Sequence, residues 1–411
     1  MELQCPRCAG QVPAVAHFCH SCGTDLKGSD DSRRKSYAAQ PDQAVLSFQP
    51  VDTIMPRGAA GHPGTYRIAT LVTLLLMIIT AAFGALPLAL VVAAFAVPIV
   101  YIVYIYDVNQ WEDEPVMVTA LAFLLTFAMA FGFTWLWRGW VQNPGISGAM
   151  ESYFDWSGLL VCALLVPIVG ELIRQIGPLV LASRPAFDDL MDGFTFGVIA
   201  GVAYAAAETL VLYWNFFALG FTGSADPLTL ILVLLQHGFI KPLIYGTATG
   251  IAGAEFSGLG KGYDGFSGRW AKAVVIAILA VASYQVGLYT FASLVNNEMG
   301  VLLGFFWALV ILAALTFAAR NVLHIGLLEA ALEASARRDP SVGAEGDLEF
   351  CPKCEMPLLA GSIFCTNCGV SVDALSGHHH HEAKPAQPAT VGGRTESTDP
   401  DVTQTAEETE R

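Results

Sequence analysis

Between Ile68 and Ala319 the chain is made of apolar runs of about 18 or more residues, each long enough to cross a ~30 Å hydrocarbon core as a helix. Inside a bilayer only helices and closed barrels satisfy their own backbone polar groups. Runs without two-residue alternation favour helices over barrel strands. Charged residues make up 14% of the 411 residues and hydrophobic ones 54%, against about a quarter charged in soluble proteins. An ordinary cytosolic enzyme is thereby excluded. The expected spans are Ile68–Leu86, Leu88–Tyr106, Val116–Leu136, Gly158–Leu181, Phe194–Leu219, Leu228–Ala254, Ala271–Leu294 and Val301–Ala319. The first two, separated only by Pro87, are also compatible with a tight hairpin or one disturbed segment.

Eight of the nine cysteines fall into two matching clusters at the polar ends. Cys5, Cys8, Cys19 and Cys22 lie in CPRCAGQVPAVAHFCHSCG, and Cys351, Cys354, Cys365 and Cys368 in CPKCEMPLLAGSIFCTNCG. Each Cys-x-x-C turn presents two thiolates to one ion, and two turns complete a tetrahedral set. The expectation is two small β zinc-ribbon modules, each holding one structural zinc ion in a closed site. Disulfides are the competing reading, disfavoured by the repeated spacing. Reduced thiolates imply a cytosolic location for both modules. Cys162, within an apolar run, is most simply a small buried hydrophobe.

The net charge of −15 has no basic block within it, so nucleic-acid binding is not expected. The tail 373–411 has eight acidic and three basic residues and almost no large apolar ones, the composition of a disordered segment. Its His378–His381 run reads as a solvated tract with, at most, weak metal binding. With eight spans both termini lie on one side. Arg57, Arg67, Arg184, Lys261, Arg269, Lys272 and Arg320 cluster on that side and only Arg138 on the other, which makes it the cytoplasmic one. A multi-pass protein of the cell membrane, with both termini cytoplasmic, follows.

Charges at bilayer depth cost at least about 2.5–3.5 kcal/mol each on insertion scales, so they call for a partner or a role. Glu171 and Arg174 share a face in the fourth span, Tyr204 precedes Glu208 by one turn in the fifth, and His237 and Lys241 share a face in the sixth. Such a set serves metal chemistry, substrate transport or the pinning of helices to one another.

The succession of motifs is more specific. Asp107, Glu112, Glu114 and Pro115 form an acidic loop; PIVGELIRQIGP, DGFTFGVIAGVAYAAAETLVLY and LQHGFIKPLIYGTATG follow. This order resembles the PrsW family of intramembrane metalloproteases, relatives of the CAAX-processing proteases, over roughly residues 101–290. The resemblance implies a zinc ion, a third one besides the ribbon pair, on Glu208 and His237. It also implies Glu171 as water activator and Arg174 as the group that keeps Glu171 ionised. Departures from the family pattern are Gly170 for the first Glu of Glu-Glu-x-x-Lys, Arg174 for its Lys, Tyr204 for Phe, Thr209 for Asn, and Gln285 where a late His is expected.

The expected architecture is therefore an all-α polytopic membrane bundle of about eight helices with two β zinc-ribbon modules. Its divisions are a ribbon at 1–27, a flexible linker at 28–66, the transmembrane domain at 67–320, a connecting helix at 321–345, a ribbon at 346–372 and the acidic tail at 373–411. The resemblance implies hydrolysis of a peptide bond in a membrane-anchored regulatory protein. The alternative is a catalytically degenerate membrane scaffold or sensor whose ribbons dock a cytosolic protein. A small-molecule transporter is a third, weaker reading, without a visible inverted repeat.

Overall fold

The computed structural model describes residues 2–26, 65–83, 86–108, 116–138, 156–184, 187, 189–214, 227–260, 262–295, 297–337 and 348–372. The linker 28–64, the loop residues Glu112, Glu114 and Pro115, the side chain of Asp107, and the tail with His378–His381 lie outside the described residues.

Eight apolar helices form the bundle: α1 (Thr65–Ala82), α2 (Leu86–Val108), α3 (Val116–Trp137), α4 (Trp156–Leu181), α5 (Leu190–Leu212), α6 (227–257), α7 (Gly268–Leu294) and α8 (Asn297–Arg337). Six of them, α3 to α8, are long and apolar enough to cross a membrane. The described apolar stretches of α1 and α2, Ile68–Ala82 and Leu88–Tyr104, are shorter. Among the described residues six helices are thus candidate spans by length and composition, against the eight expected from the sequence. The eighth run and the connecting helix form one uninterrupted α8 of 41 residues, about 60 Å long at 1.5 Å per residue.

The bundle is ordered for an apolar solvent. On α3 the inward face is Thr119, Ala122, Thr126, Ala130 and Thr134, while Leu121, Leu124, Leu125 and Leu136 point outward. Small and hydroxyl-bearing residues inside, with leucines outside, invert the soluble pattern and let helices approach closely in lipid. The clearest case is α5, buried on every side from Leu190 to Thr209. Gly193, Gly197 and Gly201 line one of its faces against Gly246, Gly250 and Gly253 of α6. A Cβ added to Gly197 would lie 2.5 Å from the Thr249 carbonyl oxygen, and one on Gly201 would lie 2.5 Å from that of Tyr245. Only glycine permits this backbone contact.

Two helices contain a π-helical turn, Val161–Leu165 in α4 and Gln236–Ile240 in α6. Each is followed by a proline, Pro167 and Pro242, at the start of the next α-helical segment. A proline ring has no N–H and crowds the carbonyl four residues earlier, so the local widening of the turn relieves it. The N-cap of α7 is Ser267, whose hydroxyl accepts from the Trp270 N–H at 3.1 Å.

Each cysteine cluster is a compact turn-rich module. In the first, β1 (Glu2–Gln4) pairs antiparallel with β2 (Gln11–Pro13), and Phe18 bridges to Asp25. The second has the bridges Phe350–Pro357 and Phe364–Ser371. The knuckles repeat in detail: the Ala9 N–H donates to the Cys5 carbonyl (2.8 Å), as that of Glu355 does to Cys351 (2.8 Å). Gly23 and Gly369 both take φ of +68° at equivalent places, a conformation that favours glycine.

Candidate functional site

The five membrane residues singled out in the sequence, Glu171, Arg174, Glu208, His237 and Lys241, lie on α4, α5 and α6, and all but His237 join one buried polar network. Glu171 is wholly buried with both carboxylate oxygens engaged. Arg174 donates to Oε2 from Nη2 (2.7 Å) and Nε (3.1 Å), Thr249 of α6 donates to Oε2 (3.2 Å), and Gln175 donates to Oε1 (2.6 Å). The Arg174 guanidinium lies 4.7 Å from the ring centroids of both Tyr204 and Tyr245, a cation–π placement that suits a desolvated cation. Glu208 is reached by the Lys241 ammonium and the Tyr245 hydroxyl, each 3.1 Å from Oε2. Gln285 of α7 in turn donates to the Tyr245 hydroxyl oxygen. Tyr245 therefore links the carboxylate of α5 to α7 and, through its ring, to Arg174 of α4.

His237 lies in the π-helical turn of α6 with its ring edge-on to Tyr213, centroids 5.1 Å apart. It faces a cavity of about 100 Å³ that Cys162, Gln236, Gln285, Tyr289 and Gly304 also line. Both π-helical turns thus open onto one cavity, through Cys162 and through Gln236 with His237. Such turns recur at functional sites because they reorient side chains and free backbone groups. Among the described residues, Glu208 Oε1, His237 Nδ1 and Arg174 Nη1 have no hydrogen-bond partner.

Gly170 borders this network. A Cβ there would lie 2.9 Å from the Tyr204 hydroxyl and 3.2 Å from Arg174 Nη1. The Tyr204 hydroxyl occupies the space that a side chain at position 170 would need.

Metal-ligating groups converge elsewhere. Among the described residues, only Cys5–Cys8–Cys19–Cys22 and Cys351–Cys354–Cys365–Cys368 bring three or more such atoms within 4.8 Å of one another. Sulfur–sulfur distances are 3.6 Å for Cys5–Cys22, 3.6 Å for Cys8–Cys19, 3.8 Å for Cys351–Cys368 and 3.6 Å for Cys354–Cys365. These are too long for disulfides and suit four thiolates around one ion. The Thr24 hydroxyl, 3.2 Å from the Cys22 sulfur, is the main cause that pulls this thiol down to about 6, toward the thiolate a metal requires. Glu171, Glu208 and His237 do not form a comparable trio, and Glu208 is instead ion-paired.

Sequence reasoning missed Gln175, Tyr245 and Thr249. A signal existed: His237, Lys241, Tyr245 and Thr249 recur every fourth residue along α6, a polar stripe down an otherwise apolar helix. No protein-family profile, curated protein or solved structure matches this chain. The class its architecture defines is a multi-pass membrane protein with two four-cysteine metal-binding modules.

Proposed function

We propose that this chain is a PrsW-like intramembrane protease that hydrolyses a peptide bond in a membrane-anchored regulatory protein. One observation carries the reading. Residues named by the motif order, scattered over separate helices, are buried in one bundle, where Glu171, Arg174 and Glu208 share a polar network through Tyr245 and His237 lines a cavity together with Gln285, the residue that reaches Tyr245. In this proposal Glu208 accepts the proton of an attacking water and His237 orients that water. Lys241 lies 3.1 Å from Glu208 Oε2 and holds this carboxylate in place. Glu171, tied on both oxygens, acts with Arg174 as a positioning pair in place of the water activator the family pattern implies. The residues present do not fit a third zinc ion, since Glu208 lies against Lys241 and no three-ligand set forms around it.

The cysteine modules are proposed as zinc ribbons. A tetrahedral ion with Zn–S bonds of ~2.3 Å separates its sulfurs by ~3.8 Å, close to the 3.6–3.8 Å found here. Thiolate chemistry and the arginine and lysine bias support a cytoplasmic location for them.

A second reading is favoured by Gln285 in place of an imidazole and by the ion pairs on both carboxylates. It is a non-hydrolytic membrane scaffold whose ribbons form a cytosolic head. The two separate in membranes carrying wild-type protein or Glu208→Gln at equal abundance. New protein N-termini, mapped by mass spectrometry, should appear with the wild type and vanish with Glu208→Gln. Identical sets of termini would overturn the protease reading and leave the scaffold.

A further inference from the structure

The two cysteine modules, separated by more than 300 positions in the chain, meet each other through equivalent edges. The N–H groups of His17 and Phe18 both donate to the Thr366 carbonyl, at 2.9 Å each. Reciprocally, those of Ile363 and Phe364 donate to the His20 carbonyl at 3.0 and 2.9 Å. The aromatic packing is exchanged in the same way. Phe364 lies over Gly23, 2.9 Å from where a Cβ would stand, and Phe18 lies over Gly369 at 2.8 Å. Thr366 is wholly buried, as are Cys19 and Cys365 beside the shared edge. The joined modules rest on the end of α8, where Val15 of the first and Met356 of the second pack with Leu259, Leu328 and Leu332.

We infer that the two modules are halves of one two-metal unit, a clasp that ties both ends of the chain to α8, and that they load metal cooperatively. The physical reason is that each edge is shaped by its own metal. The donors at 17–18 and 363–364 immediately precede the third cysteine of each set, Cys19 and Cys365. The acceptors His20 and Thr366 lie inside the second knuckle. Metal at one site therefore holds in place the edge that the other module binds, and a structural metal site of this size has little fixed shape without its ion. The first ion pre-organises the surface that stabilises the second, which is positive cooperativity. A partner of the modules is thereby kept off the paired edges, which are covered. None of the membrane-site residues takes part in this pairing, so the inference stands apart from the hydrolase reading.

Full-length protein in detergent, stripped and then given on average one zinc ion per chain, tests this by native mass spectrometry. Cooperative loading gives mainly metal-free and two-zinc chains. A statistical distribution dominated by one-zinc chains would overturn the inference. As an independent measurement, Phe18→Ala with Phe364→Ala keeps all eight thiols and both glycine turns but removes the exchanged aromatic contacts. Zinc should pass from this variant to a chromogenic chelator about tenfold faster than from wild type, the order expected from losing packed aromatic contacts. Release at the wild-type rate, with the helical signal intact, would equally overturn it.

Discussion

Lys241 of α6 places its ammonium 3.1 Å from the Glu208 carboxylate of α5, and both side chains are buried in the middle of the bundle. Both groups are shut off from bulk solvent, so each depends on the other. Removing one partner leaves an uncompensated charge, at a cost of about 3–5 kcal/mol, whereas removing both is far milder. Lys241→Met should therefore lower the thermal unfolding midpoint sharply in detergent, and Lys241→Met with Glu208→Gln should recover most of the loss. A double variant as unstable as the single one would show that the pair is not the source of the effect.

The glycine face between α5 and α6 makes a second prediction. Ala at position 197 must push against the backbone of Thr249 and Gly250, and overpacking of this kind costs about 1–3 kcal/mol. Gly132→Ala is the control, since its added Cβ meets nothing within 4 Å. The expected result is a lowered midpoint for Gly197→Ala and an unchanged or slightly raised one for Gly132→Ala.

Gln285 and His237 line the same cavity. Replacing the amide by an imidazole, Gln285→His, sets a second imidazole beside His237 on this cavity. The metal bound per chain should then rise above the wild-type content held by the cysteine modules. An unchanged content would mean that positions 237 and 285 are not placed to share an ion.

Chelation should act on the two ends of the chain and spare the membrane region. Structural zinc sites of this type contribute on the order of 10 kcal/mol to local folding, so extraction should unfold both cysteine modules. The buried network of Glu171, Arg174, Glu208 and Lys241 involves no metal ligand of the modules. Helical circular dichroism should accordingly hold while zinc is lost. A parallel collapse of the helical signal would show that the clasp also holds the bundle together.

Some of this was legible residue by residue. The apolar runs reveal their solvent because transfer free energy is local and additive along a helix, and the cysteine sets reveal themselves because a knuckle is a short contiguous turn. Glu171, Arg174, Glu208 and His237 stood out because charge at bilayer depth is costly wherever the chain leads. The count of spans was less secure, since nothing local distinguishes a crossing helix from a shorter apolar one such as Ile68–Ala82. The glycines at 193, 197 and 201 carried a readable four-residue rhythm, but only the facing row on α6 shows what it serves.

By itself, then, the sequence determined the medium, the helices, the ligand sets and which side chains had to be satisfied inside. Tertiary structure alone decided the partners. It gave Glu208 to Lys241 and Tyr245, filled the space beside Gly170 with the Tyr204 hydroxyl, turned His237 toward the cavity, and joined His20 to Thr366. The reason is physical. Burial and propensity are properties of a residue and its near neighbours, whereas a hydrogen bond across helices depends on a few tenths of an ångström set by every contact in between.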